Sequence, residues 1–351
     1  MGELPAKMKT AVMLGIGKIG WEERPVPEPG PGEVLVKVER VGVCGSDLHY
    51  FTEGRIGPYV VQPPFVLGHE AGGKVAKLGP GVRNLRVGDT VALEPGKTCG
   101  HCHFCTTGRY HLCPDVVFFA TPPVDGVFCE YVAHPESLSF KVPDGMDSLD
   151  AALIEPLAVG FHAAGQGGAV LGQKAVVFGT GCIGLMSLLA LKARGLTGIA
   201  VADVMPRRLE KARSLGAAHA VNSREEDFAE ASRRITGGDG WDLAIETSGA
   251  EAAVRQAIET VRKGATVVLV GYGPTGEMTL PLSLALDKEI TFRTVFRYHH
   301  IYPMAIEAVA AGSIRPRDVA TNIFEFDDLQ ACLDQSVSNK AEIVKSVVKI
   351  A

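Results

Sequence analysis

The sequence predicts a two-domain α/β protein, a β-rich unit followed by a doubly wound, mostly parallel sheet, with the end of the chain returning to the first unit. Three observations carry this. The chain has 351 residues, and at about 100 to 200 residues per domain that length suggests two. Its texture changes near Leu153, from short strands punctuated by glycine and proline to alternating strand and helix. A glycine-rich turn, Gly179-Thr180-Gly181-Cys182-Ile183-Gly184, stands where the second pattern begins. Hydrophobic residues at 46% and charged residues at 21% exclude disorder as the main state. A net charge of -5 supplies no general positive field for nucleic acid or anionic lipid, so a small-molecule partner is expected.

In the first half, Val34–Val38, Gly73–Leu78 and Asp89–Leu93 read as strands, since each is a short apolar-rich run bounded by breakers. Pro25-Val26-Pro27-Glu28-Pro29-Gly30-Pro31-Gly32 cannot be helical, because each proline removes a donor and restricts the residue before it. Past Leu153, strands are expected at Ala175–Phe178, Gly198–Ala202, Trp241–Glu246 and Thr266–Val270. Helices are expected at Ile183–Ala193, Arg207–Leu215 and Glu251–Val261. The tail holds a helix near Tyr302–Ala311 and a strand over Ile343–Ile350. The expected division is 1–156 with 297–351 for the first unit and 157–296 for the second.

The N-terminal Met1-Gly2-Glu3-Leu4-Pro5-Ala6-Lys7 lacks the apolar core of a secretory signal, and apolar stretches break well short of about 18 residues, so no membrane span is expected. Eight cysteines are present, four of them between Cys99 and Cys113. Clustering of that kind points to a metal rather than to disulfides, and a reducing cytoplasm suits it.

The glycine turn follows an apolar strand and opens a helix, the context that separates a dinucleotide fingerprint from a chance match. Gly179 permits the tight turn, Gly181 lets a pyrophosphate approach the backbone, and Gly184 lets helix and strand pack closely. The helix N-terminus then meets the phosphate charge. Asp203, about 20 residues on, suits the adenosine ribose hydroxyls and would repel a 2′-phosphate, so NAD is expected. Arg207 and Arg208 offer a 2′-phosphate alternative partners, or simply solvate a helix start.

Cys99, Cys102, Cys105 and Cys113 have the count and spacing of a closed tetrahedral zinc site that holds a loop and leaves no position for chemistry. His101 and His103 lie inside that knot as bystanders. A second set is scattered: Cys44, His69, Glu70 and Glu155. Taken singly, each has an ordinary reading as a buried thiol, a core histidine or a surface carboxylate.

Their settings, however, resemble those of one family. Gly68-His69-Glu70-x2-Gly73-x5-Gly79-x2-Val82, Cys44 before Ser46-Asp47, the four-cysteine knot and then the dinucleotide turn occur in the order of the zinc-containing medium-chain alcohol dehydrogenases. Over nearly its whole length the chain resembles their polyol branch, the sorbitol (L-iditol 2-) and xylitol dehydrogenases. The branch-marking residues are Gly45–Tyr50, Phe118–Pro123, Glu155-Pro156-Leu157 and Val295-Phe296-Arg297-Tyr298. The resemblance implies a GroES-like catalytic domain and a Rossmann NAD domain, with the active site in the cleft between them. It also implies a homotetramer holding one catalytic and one structural zinc per subunit. Ordinary alcohol dehydrogenases commonly have a second cysteine where this chain has Glu155. In the polyol branch Cys44, His69 and Glu70 are implied as ligands, with Glu155 reaching the metal directly or through water.

Zinc with three protein ligands keeps a position open and lowers the pKa of an alcohol bound there. The resemblance suggests that Ser46 starts a proton path toward His49 or solvent, with Glu155 and its water as a competing base. Asp47 is expected to orient His69. Tyr50, Arg297 and Tyr298 are expected to meet the hydroxyls of a polyol, with Phe118 and Thr121 lining the pocket. Packing is the plain alternative for the tyrosines, and a surface salt bridge for Arg297. Ile183, Arg208, Val270, Gly271, Tyr272 and Val295 to Arg297 carry over as NAD contacts. The expected reaction is NAD-linked oxidation of a sugar alcohol to a ketose. Threonine or butanediol specificity is the nearer alternative, and a non-enzymatic nucleotide-binding relative the farther one. Cys129, Cys182 and Cys332 have no metal role.

Overall fold

The computed structural model describes residues 4–273 and 276–351. Met1–Glu3, where the N-terminal reading begins, and residues 274–275 lie outside the described residues. The chain divides into two compact units, Met1–Glu155 with Ala320–Ala351, and Pro156–Val319. The return to the first unit thus comes at Ala320 rather than at the expected Arg297. Residues 297–319 stay with the second unit because the helix Tyr302–Ala310 buries Tyr302, Ala305 and Ile306. The short 3-10 turn Pro316–Val319 also packs on the helix Cys182–Ala193.

In the first unit two of the strands expected from the sequence widen, into Glu33–Gly42 and Glu70–Leu78, and the third starts one residue later, at Thr90–Leu93. They belong to a sheet of seven strands among the described residues, in which Glu33–Gly42 is the hub. One of its edges pairs with Glu70–Leu78; the other pairs with Tyr131–Pro135 over residues 33–37 and with Ser346–Lys349 over residues 40–42. Val34, Val36, Val38 and Val41 have no exposed surface, the demand that a strand covered on both faces makes for β-branched residues.

Two elements went unread in the sequence. A hairpin pairs Lys7–Gly15 with Lys18–Pro25; its charged residues hide the short continuous buried run Thr10–Met13. The helix Ser148–Gln166 runs through Pro156 without ending, although proline forfeits one helical hydrogen bond. Its residues 151–158 are all buried, and that burial outweighs the lost bond. The final strand is shorter than expected, Ser346–Lys349, because Thr321 Oγ1 accepts the N–H groups of Val344 at 3.1 Å and Lys345 at 3.3 Å.

The second unit carries six parallel strands among the described residues. Their order across the sheet is His219–Asn222, Ile199–Asp203, Ala175–Phe178, Trp241–Glu246, Val261–Leu269 and Thr291–Thr294. Counted along the chain this is 3-2-1-4-5-6, the doubly wound order whose reversal lies between its first and fourth strands. Gly179 leaves the first of these strands at that reversal, so the topology itself selects the glycine turn as the ligand position.

Candidate active site

At the glycine turn, Gly179 has φ +84°, a conformation that L side chains rarely adopt. A Cβ on Gly184 would fall on the Gly179 carbonyl, so helix and strand can meet only with glycine there. The face at Gly181 is open, with Arg208 Nη1 at 3.8 Å as the one neighbour a Cβ would meet. Gly181 caps the helix Cys182–Ala193, whose first N–H groups face outward there. Asp203 ends its strand as expected. Its Oδ2 accepts the N–H of Thr180 at 2.6 Å and the Thr180 hydroxyl at 2.7 Å, and its Oδ1 accepts the N–H of Val204 at 2.7 Å. These features fit a dinucleotide: an open anion cradle and, one strand over, a fixed carboxylate.

Of the other expected NAD contacts, Ile183 and Arg208 are half-buried and Arg207 is exposed. Val270 and Gly271 donate to the Glu246 carbonyl at 2.8 and 3.2 Å, while Tyr272 is 75% exposed. Val295 is buried, and the Arg297 guanidinium lies 4.5 Å over the exposed Phe296 ring. Tyr298 is buried with its ring centroid 5.8 Å from that of Tyr302.

In the first unit, the ligand atoms of Cys44, His69 and Glu70 lie within 4.8 Å of one another. Each comes from a strand end. Cys44 follows Glu33–Gly42 and caps the helix Gly45–Glu53, His69 follows Gly68 at φ +89°, and Glu70 opens its strand opposite Gly42. A Cβ on Gly68 would come 2.9 Å from the Phe128 ring, so the bend that aims His69 inward requires glycine. Burial alone would lower the His69 pKa, but Cys44, Asp47 and Glu155 together push it up to about 10. The groups around His69 thus favour a positive charge there, as a cation site does. A thiol, an imidazole and a carboxylate are the donors zinc takes.

Asp47 faces His69 as an ion-pair partner rather than through a hydrogen bond, its Oδ1 standing 4.0 Å from Nδ1. It accepts instead the N–H of Cys44 at 2.9 Å and of Gly68 at 2.9 Å, tying the two ligand-bearing loops together. Burial raises its pKa, against the pull of His69 and those two donors.

Glu155 is buried on the helix Ser148–Gln166, and its charge acts on His69, yet it stands outside the three-donor cluster. Ser46 is half-buried in the first turn after Cys44; His49 is exposed, 3.3 Å from Glu53. Phe118 packs beside His69 with ring centroids 5.7 Å apart, and Thr121 closes the same turn through its N–H to the Phe118 carbonyl at 3.2 Å. Tyr50 is 3% exposed in the core against Phe65, so packing accounts for its ring.

The sulfurs of Cys99, Cys102, Cys105 and Cys113 form a second cluster, also within 4.8 Å. Cys102 and Cys105 are 3.5 Å apart and Cys99 and Cys105 3.9 Å, close to the roughly 3.8 Å between sulfurs on a tetrahedral zinc. The N–H groups of His101 and Cys102 draw the Cys99 thiol down to about 6, toward the thiolate a metal needs. His101 and His103 are exposed and outside the cluster. Cys129 and Cys332 are buried thiols, both pushed up to about 12 by burial.

Sequence reasoning missed Glu94. It is buried, accepts the Tyr110 hydroxyl at 2.8 Å, and is pushed up to about 7 by burial, with Glu155 adding to the rise. Tyr110 lies in the cysteine loop, so this bond ties that loop to the sheet. The fragment Leu93-Glu94-Pro95 carries no signal by which it could have been found.

Comparison with known proteins shows the family. Residues 30–144 match the alcohol dehydrogenase GroES-like domain and residues 182–311 the zinc-binding dehydrogenase domain. A sorbitol dehydrogenase of Bacillus subtilis is 44% identical over 345 residues, 98% of each chain. The Homo sapiens sorbitol dehydrogenase is 42% identical over 90% of this chain and 89% of its own. Among solved structures, an Escherichia coli oxidoreductase/dehydrogenase of unknown specificity superposes with a TM-score of 0.94 at 40% identity, covering 98% of this chain and 99% of that one. No helix among the described residues is long and apolar enough to cross a membrane. The donor sets, the dinucleotide turn and these full-length likenesses lead to one conclusion: the chain belongs to the zinc-dependent medium-chain dehydrogenases, in their polyol branch.

Proposed function

We propose that the protein oxidises a sugar alcohol of the sorbitol, xylitol or L-iditol type to a ketose, with NAD as hydride acceptor. The observation that carries this is the 98% coverage by a sorbitol dehydrogenase at 44% identity. Supporting it is a donor set in which a carboxylate, Glu70, joins Cys44 and His69.

Cys44, His69 and Glu70 would hold the catalytic zinc, and the four-cysteine cluster the structural one. Zinc, when bound, supplies a Lewis acid that acidifies the alcohol and polarises the ketone in reverse. Glu155, buried beside this set, would reach the metal directly or through a water, and with that water is the competing base. Ser46 accepts the hydroxyl proton as it passes its own along a path toward His49, one helical turn on, or to solvent. Phe118 forms an apolar wall beside His69, and Thr121 lines the same turn. Tyr50, Arg297 and Tyr298 are the polyol-facing residues of this reading, Tyr50 through its hydroxyl alone since its ring is core. Gly179, Gly181, Ile183, Gly184, Asp203, Arg208, Val270, Gly271, Tyr272, Val295 and Phe296 hold NAD. A cytoplasmic homotetramer completes the reading, and light scattering measures the assembly.

A substrate panel tests the function: sorbitol, xylitol, L-iditol, galactitol, L-threonine, 2,3-butanediol and ethanol, each with NAD. One of the polyols should lead in kcat/KM. A tenfold advantage of threonine, butanediol or ethanol over every polyol, about 1.4 kcal/mol in transition-state binding, defeats the reading.

A further inference from the structure

Lys345 is the one lysine among the largest fully buried side chains of the described residues, with 1% of its side chain exposed. Its ammonium group meets Glu70 Oε2 and donates to the Val43 carbonyl at 2.9 Å. Three neighbouring strands create this contact. Gly42, on the middle one, stands opposite Glu70 on one side and Val347 on the other. A Cβ on Gly42 would land on the Glu70 carboxylate and come within 3.1 Å of Lys345 Cε. The absence of a side chain at residue 42 is what lets Glu70 cross the middle strand and reach a cation entering from the third.

Glu70 therefore has two claims on it. It belongs to the donor cluster with Cys44 and His69, and it is also half of a buried ion pair. A carboxylate oxygen engaged by an ammonium donates less charge to a metal, and leaving the metal costs it less when a second cation is already in place. We propose that Lys345 is a positioning residue that keeps Glu70 an exchangeable zinc ligand, so that a coordination position can open as substrate arrives and close as product leaves. The inference rests on reading Cys44, His69 and Glu70 as the catalytic zinc site.

The test is the rate at which the full-length, zinc-loaded protein gives up metal to a chromogenic chelator, followed together with steady-state kinetics. The four-cysteine zinc serves as an internal reference phase. In Lys345→Met, Glu70 loses its competing partner, and the catalytic zinc should leave at least tenfold more slowly, with kcat reduced and KM for the polyol little changed. Lys345→Arg should restore both. In a Glu70→Gln background, Lys345→Met should alter the release rate less than twofold, because the effect passes through that carboxylate. Gly42→Ala reaches the same end with both charges retained, and keeps the question open to test should Lys345→Met not fold. Its added Cβ displaces Glu70 from Lys345 and should also slow release. Unchanged or faster release in every folded member of this set overturns the proposal, as does an equal effect with and without Glu70. Zinc content separates the two levels. Wild type should hold one more zinc than Cys44→Ser. If the two hold the same amount, the site reading itself fails and the inference falls with it.

Discussion

Thr180 donates twice to Asp203, through its backbone N–H at 2.6 Å and its hydroxyl at 2.7 Å, and both bonds reach the same carboxylate oxygen. The glycine turn and the strand beside it are thereby locked, and the carboxylate proposed to meet the adenosine ribose is held in place. Asp203→Ser removes the negative charge that disfavours a 2′-phosphate. The ratio of kcat/KM for NADP over NAD should rise about tenfold or more, roughly 1.4 kcal/mol. Thr180→Val removes one hydrogen bond to a charged group, about 1.5 kcal/mol, and should weaken NADH binding roughly tenfold. Fluorescence titration and kinetics with both cofactors measure these, and an unchanged cofactor ratio in Asp203→Ser refutes the role given to Asp203.

Asp47 holds the Cys44 and Gly68 backbones from a fully buried position. Asp47→Ala leaves two N–H groups without their acceptor, at about 1–3 kcal/mol each. Denaturant unfolding should show about 3 kcal/mol of lost stability, and metal analysis a zinc content lower by one, with the four-cysteine zinc kept. Retention of both metals would show that Asp47 does not organise the ligand loops.

The four clustered cysteines, none of them in a disulfide, lead us to expect a loop that depends on a bound metal. Cys99→Ser should lose one zinc and, with it, the anchor that presents Tyr110 to Glu94. Its melting temperature should fall by about 4 °C or more, and a protease should cut between Pro95 and Asp115. A loop that stays protected without zinc would contradict this.

His134 is buried with Nε2 at 2.9 Å from the Glu94 carbonyl; burial and the nearby Lys97 hold its pKa down to about 3. Its folded pKa is thus below the unfolded value near 6.5. Between those values the unfolded chain takes up a proton that the folded one refuses. The stability it contributes is complete above pH 6.5 and is lost progressively as pH falls toward 3, by up to about 1.4 kcal/mol per pH unit. His134→Gln should flatten that part of the stability profile in urea melts. An identical slope in the variant would assign the acid lability to other groups.

Where physical constraint is local, the sequence was legible. Gly179, Gly181 and Gly184 act within six residues of chain, and the four cysteines within fifteen, so spacing alone conveys geometry. Cys44, His69 and Glu70 became readable through their flanking glycines, whose backbone demands are also local. Lys345 gave no signal, because its meaning depends on a strand contact with Glu70 across 275 positions of sequence and on the missing side chain of Gly42. Glu94 was hidden for the same reason, its partners Tyr110 and Glu155 being set by folding. The helix Ser148–Gln166 went unread although its signal is partly local: Pro156, a helix breaker, is overruled by the burial of its neighbours.

The strand Ser346–Lys349 lies between Glu33–Gly42 and Asn322–Glu325, pairing with both. A ribosome makes residue 33 long before residue 349. The metal-bearing sheet must therefore wait, incomplete, while all of Pro156–Val319 is synthesised and free to fold. Until release it exposes an open edge along Val41 and Gly42, and Glu70 has no lysine to meet. The first unit is therefore finished only after the second has been made, and Glu70 meets Lys345 only then.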